Sequence, residues 1–104
     1  MIVIIGAMPL NEKQKKYLRG LAHDLKPVIR VGAGGISAGL TAELNQTLVH
    51  HELVKVRIRG DGRDARNAAI EKMVEKTRAS LIACIGNTAI LYRRRDKNPG
   101  IELP

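Results

Sequence analysis

The 104 residues predict one α/β domain of two layers, with elements in the order α-β-α-β-α-β-β. Three observations carry that expectation. Residues 54–59 (VKVRIR) alternate strictly between β-branched and basic residues, the period of a strand with one dry face and one wet face. Leucines at 40, 44 and 48 recur every four residues, the spacing of a packed helix face. Gly86-Asn87 stands between two apolar runs, the usual sequence of a two-residue hairpin turn. The length fits a single modest core.

A first helix opens at Asn11, which has capping-box spacing to Gln14, and Tyr17, Leu18, Leu21 and Leu25 form its apolar stripe. Lys26-Pro27 should end it, because the residue before proline is driven out of the α region. Residues 28–31 read as a short strand, and Pro27 at its start suits a sheet edge. A glycine-rich break at 32–35 precedes Ser37, the expected N-cap of a second helix that closes at His50-His51-Glu52. After the alternating strand, Gly60-Asp61-Gly62 makes a turn. Asp64 is expected to cap a third helix, with Ala65, Ala69, Met73 and Val74 inward. Residues 79–85 and 88–93 form the final hairpin. Two strand–helix–strand units imply right-handed crossovers, hence helices on one side of a mixed sheet.

Eighteen Lys+Arg against ten Asp+Glu give a net charge of +8. The positive charge is grouped. Segment 11–30 nets +4, segment 53–66 nets +3, the tail from Arg93 nets +2, and 37–52 has no Lys or Arg. Such clustering is what contact with a polyanion such as nucleic acid requires. No apolar run is long enough for a membrane helix. The lone Cys84 excludes an internal disulfide and suits a reducing, cytoplasmic setting. Residues 1–9 are expected to form an extension outside the core, and 94–104 a basic, loosely held tail.

The glycine break carries the functional question. A Walker loop needs Lys-Ser or Lys-Thr opening its helix, and Ile36-Ser37 offers neither. A dinucleotide fingerprint wants an acid at the end of the next strand, whereas Glu52 precedes that strand. Two readings remain: a Gly-x-x-Gly loop, Gly32-Ala33-Gly34-Gly35, clamping a nucleic-acid backbone, or a tight strand-to-helix turn. Nearby cations favour the clamp. Gly32, Ala33, Gly34, Gly35 and Ser37 would receive phosphate, ringed by Lys13, Lys15, Lys16, Arg19, Lys26 and Arg30. Lys55 and Arg57 on the wet face of the strand would add to the field. With no Phe or Trp and only Tyr17 and Tyr92, both expected half-buried, the sheet builds no base-stacking platform.

Catalytic constellations are poor. His50 and His51 are adjacent and diverge by about 100° on a helix. His23 and one cysteine complete no zinc site, and Glu71 and Glu75 alternate with Lys72 and Lys76 as on a solvated helix. Neither enzyme activity, a cofactor, a metal nor a small-molecule substrate is expected, and a monomer is the default.

The runs from Lys13 to Val28 (KQKKYLRGLAHDLKPV), Val31 to Ser37 (VGAGGIS) and His51 to Val56 (HELVKV) resemble the CRM (chloroplast RNA splicing and ribosome maturation) domain in its stand-alone bacterial form. The resemblance extends from about Leu10 to Arg93. It implies a fold similar to the C-terminal domain of translation initiation factor 3. That fold has a four-stranded mixed sheet in the order 1-2-4-3, with the last strand antiparallel to the others and helices on one side. It also implies RNA binding through the Gly-x-x-Gly loop, and association with ribosomal RNA in large-subunit precursors. A non-enzymatic protein-interaction module, or a small dimerising protein, is the alternative.

Overall fold

A computed structural model describes residues 10–32, 34–59 and 62–104. The expected extension at 1–9, Ala33 and the Gly60-Asp61 turn lie outside these residues. The elements are α1 (Glu12–Ala22), β1 (Ile29–Val31), α2 (Ala38–His51), β2 (Leu53–Ile58), α3 (Arg63–Thr77), β3 (Ser80–Ile85) and β4 (Thr88–Tyr92). One four-stranded sheet has the order β1-β2-β4-β3. β1 pairs parallel with β2, and β4 pairs antiparallel with both β2 and β3. β1, β2 and β3 therefore point the same way and β4 alone runs back. The predicted α/β architecture and strand order hold.

The layering differs from expectation. Along β2, Val54, Val56 and Ile58 face a core shared with Leu44 and Leu48 of α2 and Ile70 and Met73 of α3. Leu53 faces the other way, into a second core with Leu18 and Ala22 of α1 and Ile82, Ile90 and Tyr92. α1 thus covers one face of the sheet, and α2 and α3 cover the other. The crossover rule constrains only helices that join parallel strands, which α2 and α3 do. α1 precedes β1 and is free to cover the opposite face, where Leu53, Ile90 and Tyr92 would otherwise meet water.

Local chemistry explains the boundaries. The capping box at α1 is complete: the Gln14 amide donates to Asn11 Oδ1 at 2.8 Å and the Asn11 amide to Gln14 Oε1 at 3.1 Å. α1 ends at Ala22, four residues before the expected stop, where the His23 amide turns to the Gly20 carbonyl at 3.2 Å. Proline at 27 forbids helix beyond Lys26 but does not extend it that far. Leu18 is buried while Tyr17, Leu21 and Leu25 are each at least 40 % exposed. Of the two tyrosines, Tyr92 is fully buried and Tyr17 lies open, so neither is half-buried. At α3 the N-cap is Gly62, with φ +106°, not Asp64. Asp64 instead sits in the first turn, where its charge complements the helix dipole. Ala65 is exposed, and Ile70 and Thr77 join Met73 inside.

The tail is anchored. Glu52 is 1 % exposed, and its carboxylate accepts from the amides of Arg95 (2.9 Å), Gly100 (2.7 Å) and Ile101 (3.0 Å). Ile101 and Leu103 pack with Leu10 against the α1-side core. The expectation of a loosely held tail fails because a carboxylate that ends α2 gathers the tail amides from a distance in sequence.

Candidate nucleic-acid interface

Because β1, β2 and β3 are parallel, the connections after them lie at one end of the sheet. They are stitched together there. The Arg59 amide donates to the Val31 carbonyl at 3.0 Å, the Ile58 amide to the Asn87 carbonyl at 2.7 Å, and Arg66 Nη1 to the Gly86 carbonyl at 2.9 Å. In open α/β sheets the carboxyl ends of the strands are where ligands are usually received. The glycine bend follows β1 at this end.

The Gly35 amide donates to the Gly32 carbonyl at 3.1 Å, which closes the bend. Gly35 has φ +72°, a left-handed conformation that a side chain strains. Gly32 and Gly34 are exposed, and a Cβ built at either, or at Gly35, meets no atom within 4 Å. The bend is therefore a tight turn, as one reading held, and also an open main-chain surface, as the other requires. Ser37 caps α2: its Oγ accepts from the Leu40 amide at 3.1 Å, while its carbonyl accepts from Thr41 Oγ1 at 3.0 Å. The helix ladder leaves the amides of Ala38 and Gly39 for solvent or an anion.

The expected ring of cations resolves into separate groups. Arg30 lies in register with Arg57, and both are exposed. Ile29 and Val31 point into the α2–α3 core, so Arg30 and Arg57 project from the sheet face that α1 occupies, close to the glycine bend. Lys13, Lys16 and Arg19 are exposed on α1, in the layer opposite α2, and Lys26 is exposed after it. Lys15 is partly buried, with Nζ 4.0 Å from Glu12 Oε1. Lys55 is a brace: its Nζ donates to the carbonyls of Leu25 (3.0 Å) and His23 (3.4 Å) beyond the end of α1. That occupies an ammonium assigned to phosphate from sequence.

Two lysines dismissed as a solvated helix pattern stand elsewhere. Lys72 and Lys76 of α3 border a recess of about 470 Å³ with Ile36, Ser37, Ala38, Thr41, Ala42 and Asn45. Their i, i+4 spacing opposite a stripe of small residues on α2 was the available signal.

Among the described residues no group of three or more His, Cys, Asp or Glu could hold a metal ion. His23, His50 and His51 are exposed, and Cys84 is partly buried against the α2–α3 core. Among the described residues no helix is long and apolar enough to cross a membrane.

An exposed glycine bend at the carboxyl ends of parallel strands, flanked by guanidinium groups, defines a domain suited to polyanions. Comparison with known proteins gives that class its family. The model of the CRS1/YhbY (CRM) domain matches residues 10–93, and the chain belongs to this family. It is 40 % identical over 95 residues to an RNA-binding protein of Haemophilus influenzae, covering 91 % of this chain and 95 % of the relative. It is 37 % identical to the probable RNA-binding protein YqeI of Bacillus subtilis, covering 91 % and 99 %. The solution structure of the hypothetical protein SAV1595 of Staphylococcus aureus superposes with a TM-score of 0.79 at 38 % identity. That match covers 92 % of this chain and all of the other.

Proposed function

We propose that the protein is a non-catalytic, cytoplasmic RNA-binding protein that docks on ribosomal RNA in precursors of the large subunit and assists their assembly. The observation that carries this reading is the glycine bend, open at 32, 34 and 35 beside the Arg30–Arg57 pair. The phosphate backbone dominates affinity in such a contact, and base identity contributes less.

Gly34→Asp tests it. Gly34 has open space around a Cβ and no positive φ, so an added carboxylate repels phosphate without straining the fold. Fluorescence anisotropy with deproteinised large-subunit precursor RNA should show affinity reduced about tenfold or more at unchanged thermal midpoint. Wild-type log affinity should fall with log salt at a slope near −3.5, as about five neutralised phosphates on a single strand would give. Unchanged affinity in the variant, or a slope near zero, overturns the proposal.

One feature favours the alternative of a protein-interaction module. Leu21, Leu25, Val28 and Leu53 line an apolar recess of about 420 Å³ between the end of α1 and β2. Failure to bind the naked RNA would move the function there.

A further inference from the structure

We propose that the seam between α2 and α3 is a track for the sugar–phosphate backbone of one single-stranded RNA segment. The track leads from the glycine bend to the far ends of both helices. It rests on the RNA-binding reading and extends it to a surface outside the glycine loop and the α1 cations.

Both helices start at the carboxyl ends of β1 and β2 and return alongside each other. α2 turns Ser37, Ala38, Thr41, Ala42 and Asn45 toward the seam, spaced three and four apart on one face. These small side chains, with Ile36, floor the first recess, and Lys72 and Lys76 form its other wall. Toward the helix ends lies a second recess of about 470 Å³, lined by Leu48, Val49, Thr77, Arg78 and the run from Arg93 to Lys97.

Arg93 joins the two. Its Nη1 donates to Asn45 Oδ1 (2.7 Å) and to the Thr77 carbonyl (2.8 Å), and its Nη2 to the Asn45 carbonyl (3.1 Å). Asn45 thus belongs to the first recess and anchors a wall of the second. Arg95 is likewise held, donating to the carbonyls of Val49 (3.2 Å) and His50 (3.3 Å). These two guanidinium groups stiffen the seam.

Lys72, Lys76, Arg78 and Lys97 are different: all are exposed, and none of their side chains has a hydrogen-bond or ion-pair partner among the described residues. The second recess sets Asp96 alone against five cations. The charge points to a polyanion, and the shape to a single strand. Each recess has the volume of a pocket for one small organic molecule, as a nucleotide unit is, whereas a duplex has no such narrow edge to insert. A protein partner would want a central aromatic anchor site, and neither recess has an aromatic lining residue: the first sets one isoleucine, Ile36, among alanine, serine and threonine, and the second is dominated by cations. The fourteen residues of α2 set a length of about 21 Å, or a few nucleotides.

The test uses the full chain, oligouridylates of increasing length and graded salt, read by fluorescence anisotropy. The variants are Lys72→Gln/Lys76→Gln and Arg78→Gln/Lys97→Gln, with Gly34→Asp as the control at the bend. Each double variant should flatten the salt slope by about 1.4, the share of two phosphates on a single strand, at unchanged thermal midpoint. Each should also bind longer oligomers no better than short ones, whereas the wild type gains affinity with length. If both keep the wild-type slope and length dependence while Gly34→Asp loses binding, the seam is not a track and the bend reading survives. If polyglutamate displaces the oligomer at lower concentration than RNA does, the seam serves an acidic protein and the proposal falls. If the wild type binds no RNA, both readings fall together.

Discussion

Glu52→Ala should be the most damaging single substitution outside the apolar cores. The carboxylate is buried and receives three backbone amides, from Arg95, Gly100 and Ile101, at 2.7–3.0 Å, with Arg95 Nη2 a further 4.0 Å away. Hydrogen bonds to a charged group contribute about 1.5–3 kcal/mol each. The three amides regain water once the tail lifts, and the freed tail recovers chain entropy, so the gross sum is reduced. Removing one partner of a buried charged network generally costs about 3–5 kcal/mol, and we take the lower end, about 3 kcal/mol. For a domain of this size that lowers the thermal midpoint by about 12–24 °C. Glu52→Gln keeps one acceptor oxygen without the charge and should fall between variant and wild type. Circular dichroism melts give the midpoint, and amide hydrogen exchange reads the mechanism directly: Gly100 and Ile101 should lose protection while β2 and β4 keep theirs. A fall of less than about 4 °C, with both amides still protected, would refute the reasoning.

Other expectations follow from the same geometry. Gly35→Ala forces a side chain into φ +72° and should cost about 1–2 kcal/mol, whereas Gly34→Ala should be nearly neutral; equal melts for the two would contradict the turn described. The Tyr92 phenol is raised above its ordinary value of 10.0 by burial, then by the charge of Glu52, with Arg94 opposing. The fold therefore holds the phenolic proton more tightly than the unfolded chain does. Its contribution is full below about pH 10 and is lost as pH rises through the folded value. In Tyr17→Phe, absorbance titration of the remaining tyrosine should have a midpoint above 10, and one at or below 10 would contradict the burial.

What the sequence reveals depends on how local the cause is. The Asn11–Gln14 cap, the alternation of β2 and the Gly86-Asn87 hairpin are set by neighbours a few residues apart, and all are present as predicted. The second core was legible too, but in a different signal. Residues 89–92 (AILY) are apolar without alternation, the pattern of a strand covered on both faces, and Leu53-Val54 begins β2 the same way. That pattern calls for a helix on each side of the sheet. The anchoring of the tail could not be read this way, since Glu52 meets its partners 43 to 49 residues onward. Nor could the fate of Lys55, an ammonium whose carbonyl partners lie 30 and 32 residues back, or the approach of Lys72 and Lys76 to α2. Charge clustering points to a polyanion. Which cations stay free to meet it is decided by tertiary contacts.

β4 lies second from one edge of the sheet yet is the last of its strands in sequence. As the polypeptide emerges during synthesis, β1 and β2 can pair, but β3 has no ladder to join until the strand between it and β2 has been made. Assembly is therefore not vectorial. A nascent chain stalled before Thr88 holds two half-built hydrophobic layers and no native middle. Non-local pairing of this kind delays folding until the contacts that reward it exist. The consequence is that the middle of the sheet closes in one step once Thr88–Tyr92 has emerged, joining β3 to the β1–β2 pair already made.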